Sequence, residues 1–320
     1  MRFCLPVAGP LLFLGFPILA SAQAAPSVNA SASHFLAPVT TISKAVDEVN
    51  VAFTVTDHKG RFIDNLRPDD FHLLDNHLAP QRLTYFQQRS DLPLHVAVLI
   101  DASASVKYRF KFEQEAALAF VKKLLRPGTE KAFVVAFNDR VTTIQGLTEN
   151  PSKISKALVK VNVDGNTSLY DAVIFAADQL GKIPERDITR RAIVLISDGV
   201  DTVNRATLQQ AEQAAARNQA TIFALSTNSS DLEPNANGDA VLKELAASTG
   251  GSLLPAHDGS RLFTAFRDVA KALHNQYVLA YNPMDFEADG SYRTIEIVPL
   301  KRGLRTNCRK GYYANVRATP

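Results

Sequence analysis

With 320 residues, 46% of them hydrophobic and 21% charged, the chain is long enough to bury one or two cores and too apolar to be intrinsically disordered. Its 35 basic and 32 acidic side chains leave a formal net charge of +3, too balanced to mark nucleic acid or an anionic membrane as the partner.

The chain opens on MRFCLPVAGPLLFLGFPILASAQAAP, with a basic residue at Arg2, an apolar stretch, and the small-x-small signature Ala20-Ser21-Ala22. Residues 1–22 read as a secretory signal cleaved after Ala22, which predicts a secreted or periplasmic protein. A membrane anchor is disfavoured because Pro6, Pro10 and Pro17 break the run, and no later segment is long enough to span a bilayer. Loss of the signal removes Cys4, leaving Cys308 with no intramolecular disulfide partner and the role of a small apolar residue in a C-terminal strand. Residues 23–45, rich in Ala, Ser, Pro and Thr, read as a flexible leader.

From Val49 the pattern alternates, Val49, Val51, Phe53 and Val55 on one face, before the turn residues of DHKG; further short strands follow to about Gln88. Residues 46–92 therefore predict the first part of an antiparallel β-domain. At Leu94 strand and helix begin to alternate. HVAVLI is a buried strand; KFEQEAALAFVKKLL is a helix with Phe112, Ala116, Ala119, Phe120 and Leu124 at helical spacing, stopped by Pro127-Gly128. KAFVVAF, RAIVLIS and ATIFALS follow as strands. NPSKISKALVKV (N-capped by Asn150), TSLYDAVIFAADQL, ATLQQAEQAAARNQ, DAVLKELAAST and SRLFTAFRDVAKALHNQ follow as helices.

Uniformly apolar strands alternating with helices predict a doubly wound, mostly parallel α/β domain over 93–274. Residues 275–316 return to β pattern, and because neither β segment can close a core alone, they predict the second part of the β-domain, with the α/β domain inserted between or flanked by them. The basic run Lys301, Arg302, Arg305, Arg309 and Lys310 reads as solvent-facing positions of a β-ribbon.

Ligands of open parallel sheets bind at the carboxyl ends of strands. Asp101, Ser103 and Ser105 follow the first parallel strand, Thr167 precedes a helix in DGNTSLYDA, and Asp198 closes the strand in ISDGVDT, so that carboxylates and hydroxyls converge on one sheet edge. Each residue taken singly also fits a helix cap or a turn.

Taken together, Asp101-x-Ser103-x-Ser105, Gly165-Asn166-Thr167 and Ser197-Asp198-Gly199 resemble the metal-ion-dependent adhesion site of the von Willebrand factor A (VWFA) domain family, with each ligand position present without substitution. The resemblance covers about Leu94 to His274. The flanking β segments are similar to those of the secreted VWFA-related proteins frequent in Acidobacteria. It implies a Rossmann-like domain holding Mg²⁺, or Mn²⁺ or Ca²⁺, on Asp101, Ser103, Ser105, Thr167 and Asp198, with a coordination position left for a Glu or Asp carboxylate of a partner protein. Asp171 and Asp201 are left as solvated or supporting acids.

No nucleophile elbow, phosphate loop, dinucleotide fingerprint or zinc-protease motif occurs, and the seven histidines do not cluster at ligand spacing. The leading expectation is a non-enzymatic adhesion module; the rival is a metal-dependent phosphoesterase-like hydrolase using the same ion.

Overall fold

The computed structural model describes residues 48–88, 92–184, 189–228 and 236–314. The expected signal segment and leader lie outside them. Strand β1 (Val49–Asp57) buries Val49, Val51, Phe53 and Val55. It is followed by β2 (Phe71–Asp75) and β3 (Arg82–Gln88), both short and only half-buried.

Strand β4 (Leu94–Asp101) is buried at all eight positions. The reason is its place in the sheet: it pairs in parallel with β5 (Glu130–Phe137) on one side and with β7 (Arg190–Ser197) on the other, and helices cover both faces. Leu94, Val96, Val98 and Ile100 enter the layer formed by α1 (Phe110–Leu124), α2 (Pro151–Leu158) and α6 (Gly259–His274). Ala97 and Leu99 enter the layer formed by α3 (Leu169–Gly181), α4 (Leu208–Arg217) and α5 (Ala236–Thr249). Each fully buried Val, Leu or Ile contributes about 1.5–3 kcal/mol. The sheet is completed by β6 (Val141–Thr148), β8 (Ala220–Ser226) and β9 (Leu253–Pro255) in the order β6-β5-β4-β7-β8-β9.

Sequence patterning missed β6. It pairs antiparallel with β5 at the sheet edge and is half-exposed throughout, so VTTIQGLT carries no apolar run to announce it. The apolar face expected for α1 also needs correction. Phe112 and Ala119 are exposed, and the inward stripe is Phe110, Glu113, Ala116, Ala117, Phe120, Val121 and Leu124, because α6 packs from a direction about one helical position away, with Phe120 stacked on Phe266 at 4.8 Å.

After α6 the chain returns to antiparallel strands β10 (Tyr277–Asn282), β11 (Tyr292–Pro299), β12 (Leu304–Cys308) and β13 (Gly311–Tyr313). They join the N-terminal strands across the α/β region, forming one sheet in the order β12-β1-β10-β3 and another in the order β13-β11-β2. The two share a core in which Phe53 stacks on Tyr277 at 5.4 Å. At its centre Asp75, fully buried, accepts hydrogen bonds from Tyr281 Oη, Tyr312 Oη and Arg293 Nε, each at 2.7 Å. Cys308 lies half-buried on β12, where burial pushes its thiol up. Within the expected basic ribbon Lys301, Arg302, Arg305 and Lys310 are exposed, but Arg309 is buried, because it sits past the end of β12 where the chain crosses to the other sheet. Among the described residues no helix is long and apolar enough to cross a membrane.

Candidate metal centre at the carboxyl edge of the parallel sheet

The chain leaves β4 toward β5 on one side and later returns to β7 on the other, so the strand order reverses beside β4 and opens a crevice at its carboxyl end. Asp101 is the last residue of β4 and is fully buried in that crevice. Its Oδ1 accepts from the Ser103 amide at 3.0 Å and its Oδ2 from Ser197 Oγ at 3.0 Å. Burial pushes the Asp101 carboxyl up to about 6; hydrogen bonds from Ser103 and Ser197 oppose the shift and the charge of Asp198 adds to it.

Ser103 Oγ lies 3.0 Å from Ser105 Oγ. Ser103 is the N-cap of the short turn Ala104–Val106, yet its side chain makes no capping bond there. Thr167 is not a cap either. The N-cap of α3 is Ser168, and the first-turn amide of Leu169 is taken by Asp201 Oδ1 at 2.7 Å. Asp198 does serve a turn, accepting from the Val200 amide at 3.1 Å through Oδ1, while its Oδ2 stands 4.0 Å from Arg109 Nη2.

Backbone bonds tie these loops together. Ala104 N donates to Gly165 O and Asp164 N to Ala102 O, both at 3.0 Å, and Thr202 N donates to Thr167 O at 2.9 Å. Gly165 adopts φ +82°, a backbone conformation that strains any residue with a Cβ, so glycine suits the turn that delivers Thr167. The structure thus brings Asp101, Ser103 and Ser105 into one hydrogen-bonded cluster, places Asp198 within electrostatic reach of Asp101, and holds the Thr167 loop to the same segment by backbone pairing.

The sequence reading placed Ser197 in the motif without a role of its own and missed Glu113 and Arg109. Ser197 orients Asp101. Glu113, one helical turn inside α1, is 2% exposed and its carboxyl is pushed up to about 8, chiefly by burial and further by Asp101 and Asp198, with Arg109 opposing. Arg109 Nε donates to Glu113 Oε1 at 3.2 Å. The available signal was the Arg109–Glu113 spacing of one helical turn, with the acid on the same stripe as Ala116, Ala117 and Phe120.

Among the described residues no group of three or more His, Cys, Asp or Glu is arranged to hold a metal. The donor set at this edge is of another kind, carboxylates of Asp101 and Asp198 with neutral hydroxyls. A carboxylate raised chiefly by burial and further by the charge of Asp198, next to hydroxyls not committed to capping, is an environment that a hard divalent cation fits.

An open α/β sheet with a carboxylate-and-hydroxyl cluster at its switch point defines the class of this molecule. More specifically, residues 96–200 match the model of the von Willebrand factor type A domain, a span that contains Asp101, Ser103, Ser105, Thr167 and Asp198. No curated protein matches the chain. Among solved structures the fold is similar to proximal thread matrix protein 1 from the mussel byssus with zinc occupied MIDAS motif (18% identity, 63% of this chain and 50% of that one, TM-score 0.50). It is also similar to a von Willebrand factor type A protein from Catenulispora acidiphila (16% identity, 77% of this chain and 73% of that one, TM-score 0.49). A third is the PilB minor pilin from Streptococcus sanguinis (15% identity, 58% of this chain and 62% of that one, TM-score 0.47). The match thus spans half of the mussel chain and under two thirds of the pilin, and at 18% identity the likeness to the mussel protein is one of fold.

Proposed function

We propose that the chain is a secreted or periplasmic adhesion module that captures an acidic side chain of a partner protein at a divalent cation held by Asp101, Ser103, Ser105, Thr167 and Asp198. The observation that carries this reading is the fully buried Asp101 carboxylate, raised to about 6 beside Asp198 and flanked by the Ser103–Ser105 hydroxyl pair. When bound, the cation supplies an electron-poor coordination position for a Glu or Asp carboxylate. Oxygen donors alone favour Mg²⁺, Mn²⁺ or Ca²⁺ over softer ions. Asp101 and Asp198 balance its charge, Ser197 keeps the Asp101 carboxylate oriented, and the loop bonds from Gly165 and Ala102 keep the hydroxyls on one edge.

Tyr108 supports a protein partner. It is 97% exposed three residues beyond Ser105, an aromatic side chain at the rim of the site of the kind that anchors interfaces. The domain division that accompanies this reading is a signal at 1–22, a leader at 23–45, and a cation-binding domain at 93–274 set between β segments 46–92 and 275–316.

The test is calorimetric titration of Mn²⁺ and Mg²⁺ into the chain and into Asp101→Asn. Saturable binding by the parent that is lost in the variant supports the site. Equal heats in both refute it, and metal-dependent turnover of a phosphoester would favour the hydrolase reading instead.

A further inference from the structure

Where α2 lies against the edge strand β6, an open groove of about 340 Å³ is lined by Lys153, Lys156, Ala157 and Lys160 on one side and by Ile144 and Gln145 of β6 on the other. No Asp or Glu lines it, and α2 itself, PSKISKAL, contains no acid. All three lysines are exposed, and among the described residues none of them pairs with a carboxylate. The chain as a whole carries only +3, so this is a local concentration of charge.

A bulge in β6 shapes the floor. Gln145 pairs with Val134 and Thr143 with Val135, so Ile144 is an extra residue with no partner opposite. In a regular strand adjacent side chains point to opposite faces; the bulge bends the strand, which accounts for Ile144 and Gln145 lining the same groove.

The lysines form a ladder. They are three and four residues apart, so their stems leave one face about 4.5 and 6 Å apart along the helix axis. Like charges at these spacings repel one another, and α2 offers no acid to relieve them. The carboxyl end of the helix does not oppose an anion with free carbonyls. Ser155 O accepts from Val159 N, Ala157 O from Lys160 N, and Leu158 O from Val161 N and Gln114 Nε2.

The lining selects among polyanions. It holds no aromatic side chain to stack a base and no arginine to grip a phosphate bidentately, which disfavours nucleic acid. Ile154 and Leu158 of α2 are buried in the core, leaving Val159 and Leu147 as isolated exposed apolar side chains, too little to enter a bilayer. Two register shifts make β6 a poor edge for an added peptide strand. A chain of sugars bearing one carboxylate each suits compact, hydrated ammonium groups placed at about the length of a sugar.

We propose that the groove between α2 and β6 binds an acidic polysaccharide of the polyuronate kind, its carboxylates on Lys153, Lys156 and Lys160 and its hydroxyls on Gln145. The site is separate from the candidate cation centre and gives the chain an attachment that needs no metal.

The experiment is fluorescence polarisation of a labelled oligogalacturonate with the full chain in EDTA, so that no cation at the Asp101 edge bridges to its carboxylates. Saturable binding that weakens as salt rises is expected, and none to uncharged dextran. Combining Lys153→Gln, Lys156→Gln and Lys160→Gln should weaken binding roughly 10-fold through the loss of three exposed ion pairs. Glutamine preserves helix propensity at these exposed positions, so the fold is retained. Combining Lys122→Gln, Lys123→Gln and Lys131→Gln, exposed lysines of α1 and β5, removes the same charge and should leave the affinity unchanged. No binding by the parent, an equal loss in both variants, or tighter lysine-dependent binding of an oligonucleotide or of phosphatidylglycerol vesicles would each overturn the proposal.

Discussion

Arg109 links two acids that the sequence keeps far apart: its Nη2 lies 4.0 Å from Asp198 Oδ2, and its Nε lies 3.2 Å from Glu113 Oε1. One guanidinium therefore faces both Asp198 and Glu113 beside the candidate centre, and any cation that binds there meets its repulsion. Arg109→Gln is expected to tighten Mn²⁺ binding by roughly 3- to 10-fold at low ionic strength, with the gain shrinking at high salt. Calorimetry at two salt concentrations checks it; unchanged affinity would mean that Arg109 is too exposed to be felt.

Glu113 should leave a mark on the pH dependence of stability. Its carboxyl is raised from the ordinary 4.5 to about 8, so between those values the native chain holds a proton that the unfolded chain releases. The stability this group contributes is fully present below about pH 4.5 and is lost as pH rises through about 8. Glu113→Gln, neutral throughout, should match the parent near pH 4.5 and exceed it at pH 9 by about 2–4 kcal/mol in EDTA. Urea unfolding at the two pH values decides it, and parallel profiles would remove Glu113 from the account.

Gly165→Ala tests how Thr167 is delivered. The side chain of Asp139 can swing away from the added Cβ, but φ +82° remains strained for alanine, so a loss of about 1–2 kcal/mol is expected. Mn²⁺ affinity should fall with it, because the Ala104 N to Gly165 O bond couples this turn to the Ser103 loop. A variant that loses stability and binds Mn²⁺ as before would uncouple the two.

Asp75 is the polar centre of the antiparallel core. Asp75→Asn leaves Arg293 buried without its counter-charge and only one carbonyl oxygen for the donors now served by two, and should cost about 3–5 kcal/mol in urea unfolding. Tyr281→Phe, which deletes one donor and leaves the ion pair intact, should cost about 1 kcal/mol. Equal losses for the two variants would show that the ion pair adds nothing beyond a hydrogen bond.

Local pattern alone determined much of this molecule. The run HVAVLI announced a strand buried on both faces, the period-two alternation of Val49 to Val55 announced a half-buried one, and the order of Asp101, Ser103, Ser105, Thr167 and Asp198 along strand ends pointed to one sheet edge. Those signals are legible because the helix and strand periods dictate which residues meet the core. What only the tertiary structure decided is the fate of single polar side chains and edge strands. Glu113 is buried because α1 turns that stripe inward, β6 is a strand because β5 offers it an edge, and Arg309 is enclosed because β1, β10 and α5 close around it. In each case the deciding neighbour is distant along the chain, and the burial of one polar group depends on that neighbour rather than on the residues beside it.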